Sequence, residues 1–128
     1  MKYKLKKETK PTLPTFGKYK AVACHYQTIE SEELTNEVTR RGCLNRAIVV
    51  NVLSSLSDVI KEHLRRGDKV VLHDFGMMKL EIESDKVDDV EEFCASKHIR
   101  GMRLHFLPKS DKGSPALYQD IMFEEERI

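Results

Sequence analysis

The sequence predicts an α+β fold, and three observations predict it. Residues 2–6 and 77–83 alternate with a period of two, the signature of half-buried strands. Residues 48–64 instead carry a wide apolar stripe at helical spacing. That stripe stops at Gly67 and gives way at once to GDKVVLHDFGMMKLEI, which reads as strand, tight turn, strand.

Each element follows from local chemistry. In MKYKLKKE, Lys2, Lys4 and Lys6 point one way and Tyr3 and Leu5 the other, a strand with a lysine-lined face. KPTLPTFG carries two prolines and a glycine and reads as a connection. GKYKAVACHYQ sets Tyr19, Ala21, Ala23 and His25 opposite Lys20, Val22, Cys24 and Tyr26, a second strand. TIESEELTNEVTRRG is a helix with Ser31 expected as N-cap. Glu32 and Glu33 suit the positive end of its macrodipole and Arg40 and Arg41 the negative end; Gly42 is expected to close it. Only Leu34 and Val38 are strongly apolar, so this helix must pack on something.

LNRAIVVNVLSSLSDVIKEHLRRG is the strongest helix, with Asn45 as cap and Gly67 at the left-handed closing position. Ile48, Val49, Val52, Leu53, Leu56, Val59, Ile60 and Leu64 form its stripe. Burying eight such side chains is worth about 12–24 kcal/mol gross, an upper bound. One short helix cannot cover that surface, so a sheet or a second subunit is required. Lys69–His73 and Met77–Glu83 flank a corner at Asp74, Phe75 and Gly76. ESDKVDDVEEFCASKH lacks periodicity and reads as a loop or extended arm. HIRGMRLHFLP returns as a strand that Pro108 stops; KSDKGSP is a loop, and ALYQDIMFEEERI reads as a short closing helix.

Composition narrows the class. With 128 residues, 40% hydrophobic and 34% charged, the chain reads as one soluble globular domain. No apolar run approaches a membrane span, and the charged N-terminus has no apolar core behind it, which excludes a secretory signal. Cys24, Cys43 and Cys94 read as free thiols of a reducing cytosol. The net charge of +1 conceals segregation. Residues 1–20 hold seven lysines against Glu8, whereas residues 83–93 hold six carboxylates against Lys86. Cys94 and His98 are four apart, and His73 and His105 lie on strands, but no second paired spacing completes a zinc site. The acidic cluster from Asp85 to Glu92 reads as solvated loop charge. No phosphate-cradling glycine loop and no Ser/His/Asp set is present, so neither an enzyme nor a cofactor is expected.

The order helix, short turn, long helix, then RGDKVVLHDFGMMKLEI resembles the HU family of bacterial histone-like DNA-binding proteins, which includes integration host factor. The corner Asp74-Phe75-Gly76 stands where that family has Gly-Phe-Gly, and Phe106, Pro108 and Lys109 stand where its later strand ends. The core likeness spans about residues 30–122. The N-terminal strands and EEFCASKHIRGMRLHFLP look like a divergent branch.

The resemblance implies an intertwined homodimer. It would join through Val49, Val52, Leu53, Leu56, Val59, Ile60 and Phe75, with Phe75 plugging the helix–sheet junction and Gly76 permitting the bend. It divides the chain into an N-terminal strand extension (1–27), a helical hairpin (28–66), a β-sheet with arm (67–108) and a C-terminal loop and helix (109–128). The implied function is non-enzymatic, largely sequence-independent binding of double-stranded DNA in the bacterial nucleoid and cytoplasm, with no membrane or small-molecule partner.

Phosphate contacts are then expected from Lys79, Lys97, Arg100, Arg103, Lys109 and Lys112, with Arg65 and Arg66 as second choices. Lys2, Lys4 and Lys6 either extend this basic face or guard a strand edge against aggregation, the latter slightly favoured. The stretch from Glu83 to Ser96 lacks the wedge proline of family arms and is acidic, so sharp DNA bending is not carried over. The alternative function is a protein–protein scaffold on the same frame, its acidic arm docking a basic partner.

Overall fold

The computed structural model describes residues 1–110, 113 and 115–126. The chain forms two compact units, Met1–Glu37 with Asp120–Ile128, and Val38–Gln119.

In the first unit, β1 (Lys2–Lys7) pairs antiparallel with β2 (Tyr19–Ala23), Lys6 opposite Lys20 and Lys4 opposite Val22. The chain end adds β6 (Glu124–Glu125), parallel to β1 with Lys2 beside Glu124. The sheet order is therefore β2-β1-β6. One face carries Lys2, Lys4, Lys6 and Lys20. The other carries Tyr3, Leu5, Ala21 and Ala23, which with Met1 and Phe123 border an open apolar hollow of about 560 Å³.

This pairing corrects the expected closing helix. Ala116–Tyr118 is only a 3-10 turn after Pro115, and Asp120 takes a left-handed φ of 58° that no helix can run through. Backbone groups beyond it bond to β1 instead: Glu124 N donates to Met1 O and Glu126 N to Tyr3 O. A helix of a dozen residues with few apolar contacts would have been marginal.

Helix α1 (Ser31–Gly42) starts one residue earlier than expected. Leu34 N bonds to Glu30 O, which places Glu30 at the cap, while the Ser31 carbonyl accepts from the Thr35 hydroxyl at 2.7 Å. Gly42 ends the helix as expected, and Cys43 just beyond takes the left-handed conformation (φ 51°), with Leu44 N reaching back to Thr39 O.

Helix α2 (Arg46–Arg65) is capped as the sequence indicates. The Asn45 side chain accepts from Ala47 N at 2.9 Å. At its end Gly67 has φ 90°, and Gly67 N and Asp68 N bond to Leu64 O and His63 O.

Turn chemistry then launches the second sheet, order β3-β4-β5, from β3 (Val70–Leu72), β4 (Gly76–Ser84) and β5 (Ile99–Pro108). The corner bends at Asp74 (φ 54°), with Phe75 N bonded to Leu72 O. Gly76 has a different role from the expected one. A Cβ there would lie 2.3 Å from Leu107 O and 2.7 Å from Phe106 Cζ, so glycine is required for close approach of β5. Beyond β3, β4 and β5 continue as a two-stranded ribbon from Lys79 to Ser84, with a bulge that leaves Arg100 without a partner on β4.

The acidic connection is not an extended arm. It folds into a 3-10 turn (Val90–Glu92) and a one-turn helix α3 (Ala95–His98). Asp89 caps the former by accepting from Glu91 N, and Asp85 N bonds to His98 O, closing the loop at the ribbon's end. Capping by Asp89, and acceptance of the Cys94 N–H by His98 Nδ1, satisfied backbone groups that an extended arm would have left to water.

Burial is sparse. Among the described residues, Val49 and Leu64 are the buried apolar side chains. The accessible area is 11,423 Å². A compact monomer of this mass would expose about 7,000 Å², and two separate globules about 8,300 Å².

Gly67→Ala should cost about 1–2 kcal/mol, the strain of a left-handed alanine in open space. Gly76→Ala should cost more, because its Cβ would strike backbone. Urea unfolding of the two variants checks the order; equal costs would contradict the packing role of Gly76.

Candidate nucleic-acid interface

Strand register decides which cations share a surface. On the β4–β5 ribbon Lys79 faces His105 and Glu81 faces Arg103. Met77, Lys79, Glu81 and Glu83 thus lie on one face with Leu107, His105, Arg103 and Gly101; Met78, Leu80 and Ile82 lie on the other with Phe106, Leu104 and Met102. Two expected phosphate contacts, Lys79 and Arg103, are brought together. So is Glu81, which the sequence reading left out of the site.

Glu81 holds the center of this face. Arg103 Nη2 donates to its Oε2 at 2.7 Å, and Lys79 Nζ and His105 Nδ1 lie 3.8 Å from its Oε1. The Arg103 hydrogen bond is the main reason the Glu81 carboxyl is held below the usual glutamate range, and the same bond raises Arg103. With Glu83 on the same face, two carboxylates offset the two permanent cations.

The remaining expected contacts are dispersed. Arg100, pushed out by the bulge, donates its Nε to Asp85, which raises its pKa. Lys97 sits in the last turn of α3. Lys109 lies at the other end of β5, its Nζ 3.0 Å from Asp74 Oδ1; that bond, followed by nearby His73, lowers Asp74. Arg65 ends α2 and Arg66 is its C-cap. Lys112 lies outside the described residues. These pairs are solvent-exposed and individually weak, so phosphate could displace a carboxylate from any of them. Their effect is on the local field, which they bring close to neutral.

Cys94 and His98 do not form a nucleophile pair. His98 Nδ1 accepts from the Cys94 backbone N–H at 2.9 Å, while Cys94 Sγ meets Ser96 Oγ at 3.2 Å. That hydroxyl is the leading cause of the lowered Cys94 pKa. Among the described residues no group of three or more His, Cys, Asp or Glu side chains could hold a metal ion.

The apolar candidates divide too. Val49 is already buried in the single chain at 3% exposure, so it is not presented to a partner. Val52, Leu56 and Val59 remain 58%, 39% and 49% exposed, and Leu53 and Ile60 are half-buried. Phe75 stacks on Phe106 at 4.9 Å between ring centroids yet stays half exposed, so it plugs the corner only on one side.

A family model described as an HU domain fused to a wHTH, Ig or glycine-rich motif (HU-HIG) matches residues 1–113. Comparison with curated proteins finds no significant match. Among solved structures, the chain is similar to a candidate bacterial DNA-binding protein from Bacteroides vulgatus, at 13% identity and a TM-score of 0.55. That alignment covers 84% of this chain but only 41% of the other, and it shows a shared fold.

An NMR titration of the Glu81 carboxyl should give a midpoint below the ordinary glutamate value. Since a depressed carboxyl stabilises the fold only while ionised, that contribution is present above the ordinary value and lost as pH falls through the folded one. Arg103→Gln should move the midpoint up. An unmoved midpoint would discount the Arg103 bond as its cause.

Proposed function

The chain belongs to the HU-HIG family, HU domains fused to wHTH, Ig or glycine-rich motifs, and from that premise we propose that it is a dimeric, non-enzymatic DNA-binding protein of the bacterial nucleoid. Two copies join along α2 and bind duplex DNA through its phosphates with little base specificity.

The observation that carries this reading is the uncovered stripe of α2. Val52, Leu56 and Val59, with Ile48 at 57%, are exposed on a chain whose buried apolar side chains among the described residues are Val49 and Leu64. Large apolar residues left in water on one helix face mark an interaction surface. A second copy presents the same stripe and can bury it with twofold symmetry. Lys79, Lys97, Arg100, Arg103, Lys109, Arg65 and Arg66 supply cations for phosphate, and Lys112 joins them by its place in the sequence. The bacterial cytoplasm is the compartment this partner implies.

A specific observation favours a second reading. Glu81, Asp85 and Asp74 already occupy Arg103, Arg100 and Lys109, and residues 83–93 are strongly acidic. A scaffold that keeps the dimer frame and docks a basic protein would show these features as well.

Salt dependence separates the two. With about six phosphate contacts, duplex affinity should fall with salt at a log–log slope near −5. Glu81→Gln should steepen binding at low salt by releasing Arg103 and Lys79. No duplex binding by wild type at low salt would favour the scaffold. Independently, Val52→Asp with Leu56→Asp should shift sedimentation of the free protein from dimer to monomer; a wild-type monomer would overturn the dimer outright.

A further inference from the structure

The first unit holds a basic surface that the ribbon lacks. Register sets Lys2, Lys4 and Lys6 of β1 and Lys20 of β2 on one face, all exposed. Among the described residues two carboxylates stand beside them: Glu124 lies opposite Lys2, and Glu126 lines one hollow with Lys4. Among the described residues no ion pair involves any of the four lysines. Glu8, the one acidic residue among the first twenty, accepts from the Lys10 backbone N–H in the turn that follows β1. Val22 and Cys24 are the other residues that alternation places on this face.

Resting on the DNA-binding reading, we propose that this lysine face is a phosphate-tracking surface for duplex DNA, separate from the β4–β5 ribbon. Alternate residues of a strand are about 6.8 Å apart, so successive lysines span two axial phosphate steps of about 3.4 Å on one DNA strand. Lys20, directly across from Lys6, widens the row to two strands.

Guarding a strand edge accounts for part of this arrangement, since β6 covers β1 only at Lys2 and Tyr3 and β2 is an outer strand of the sheet. It does not require two lysines directly across from each other. Like charges directly across a strand pair are destabilising. The Lys6–Lys20 pair is therefore a cost that solubility alone does not require, and an arriving phosphate relieves it. Unlike the ribbon, where each arginine must first leave a carboxylate, these ammonium groups are available at once.

The experiment is a salt titration of binding to a short fluorescent duplex by the full chain. In Lys4→Gln/Lys6→Gln/Lys20→Gln the log–log slope should be shallower than wild type by about 2.7, or 0.9 per contact. Lys4→Arg/Lys6→Arg/Lys20→Arg should keep the wild-type slope. Single variants Lys4→Gln and Lys20→Gln, each expected to lose about 0.9, carry the test if the triple variant aggregates. Wild type that binds while the glutamine variants keep its slope would overturn this inference and leave the DNA-binding reading standing. Arginine variants that lose the slope would also overturn it, by making the lysines structural. Wild type that binds no duplex overturns both.

Discussion

Too little of this chain's oil is covered by the chain itself, and most of its architecture follows from that shortage. Helix α2 is long, well capped and strongly amphipathic, but β3 and β4 shield only part of its apolar side. Val49 and Leu64 are sealed while Val52, Leu56 and Val59 stay in water. A fold with that little buried surface cannot offset the conformational entropy of ordering its residues by its own contacts. A partner surface would add the missing burial, and this is what the proposed twofold copy offers.

Electrostatics adds a second constraint. The ribbon that resembles a DNA-embracing arm in its topology is not one in its charge. Strand pairing sets Glu81 against Arg103 and within reach of Lys79, and the bulge turns Arg100 toward Asp85. These exposed pairs contribute little to stability, but they flatten the field that would draw in a polyanion. The N-terminal sheet instead sets Lys2, Lys4, Lys6 and Lys20 on one face, with Glu124 and Glu126 as the carboxylates beside them. Charge that cancels in the total for the chain is concentrated by the fold on particular faces.

Much of the fold was legible in the residues. Asn45 and Gly67 bracket α2 because a short polar side chain and a left-handed glycine are the cheapest ways to satisfy free backbone groups at helix ends. Period-two alternation located β1, β4 and β5 to within a residue or two, and β2 with an overrun, since it ends at Ala23 and leaves out Cys24, His25 and Tyr26. Where reading failed, distant or local backbone partners decided the matter. The segment after Ala116 reads as a helix by composition, yet Asp120 breaks it and β1 offers its open edge. The acidic connection is a loop, one of the two forms expected of it, and Asp89 caps a short turn within it.

The sequence by itself determined which stretches are strand or helix, where α2 begins and ends, and that its stripe outruns any cover one short helix could provide. These depend on interactions within a few residues, which composition and spacing encode directly. Tertiary structure alone decided which charges meet. Glu81 and Arg103 are 22 positions apart, Asp85 and Arg100 are 15, and Asp74 and Lys109 are 35. Register, a bulge and a loop closure bring each pair together. A one-residue slip in the pairing would send every side chain on that strand to the opposite face, so no reading of charge along the chain could say which lysines and arginines stay free to meet a phosphate.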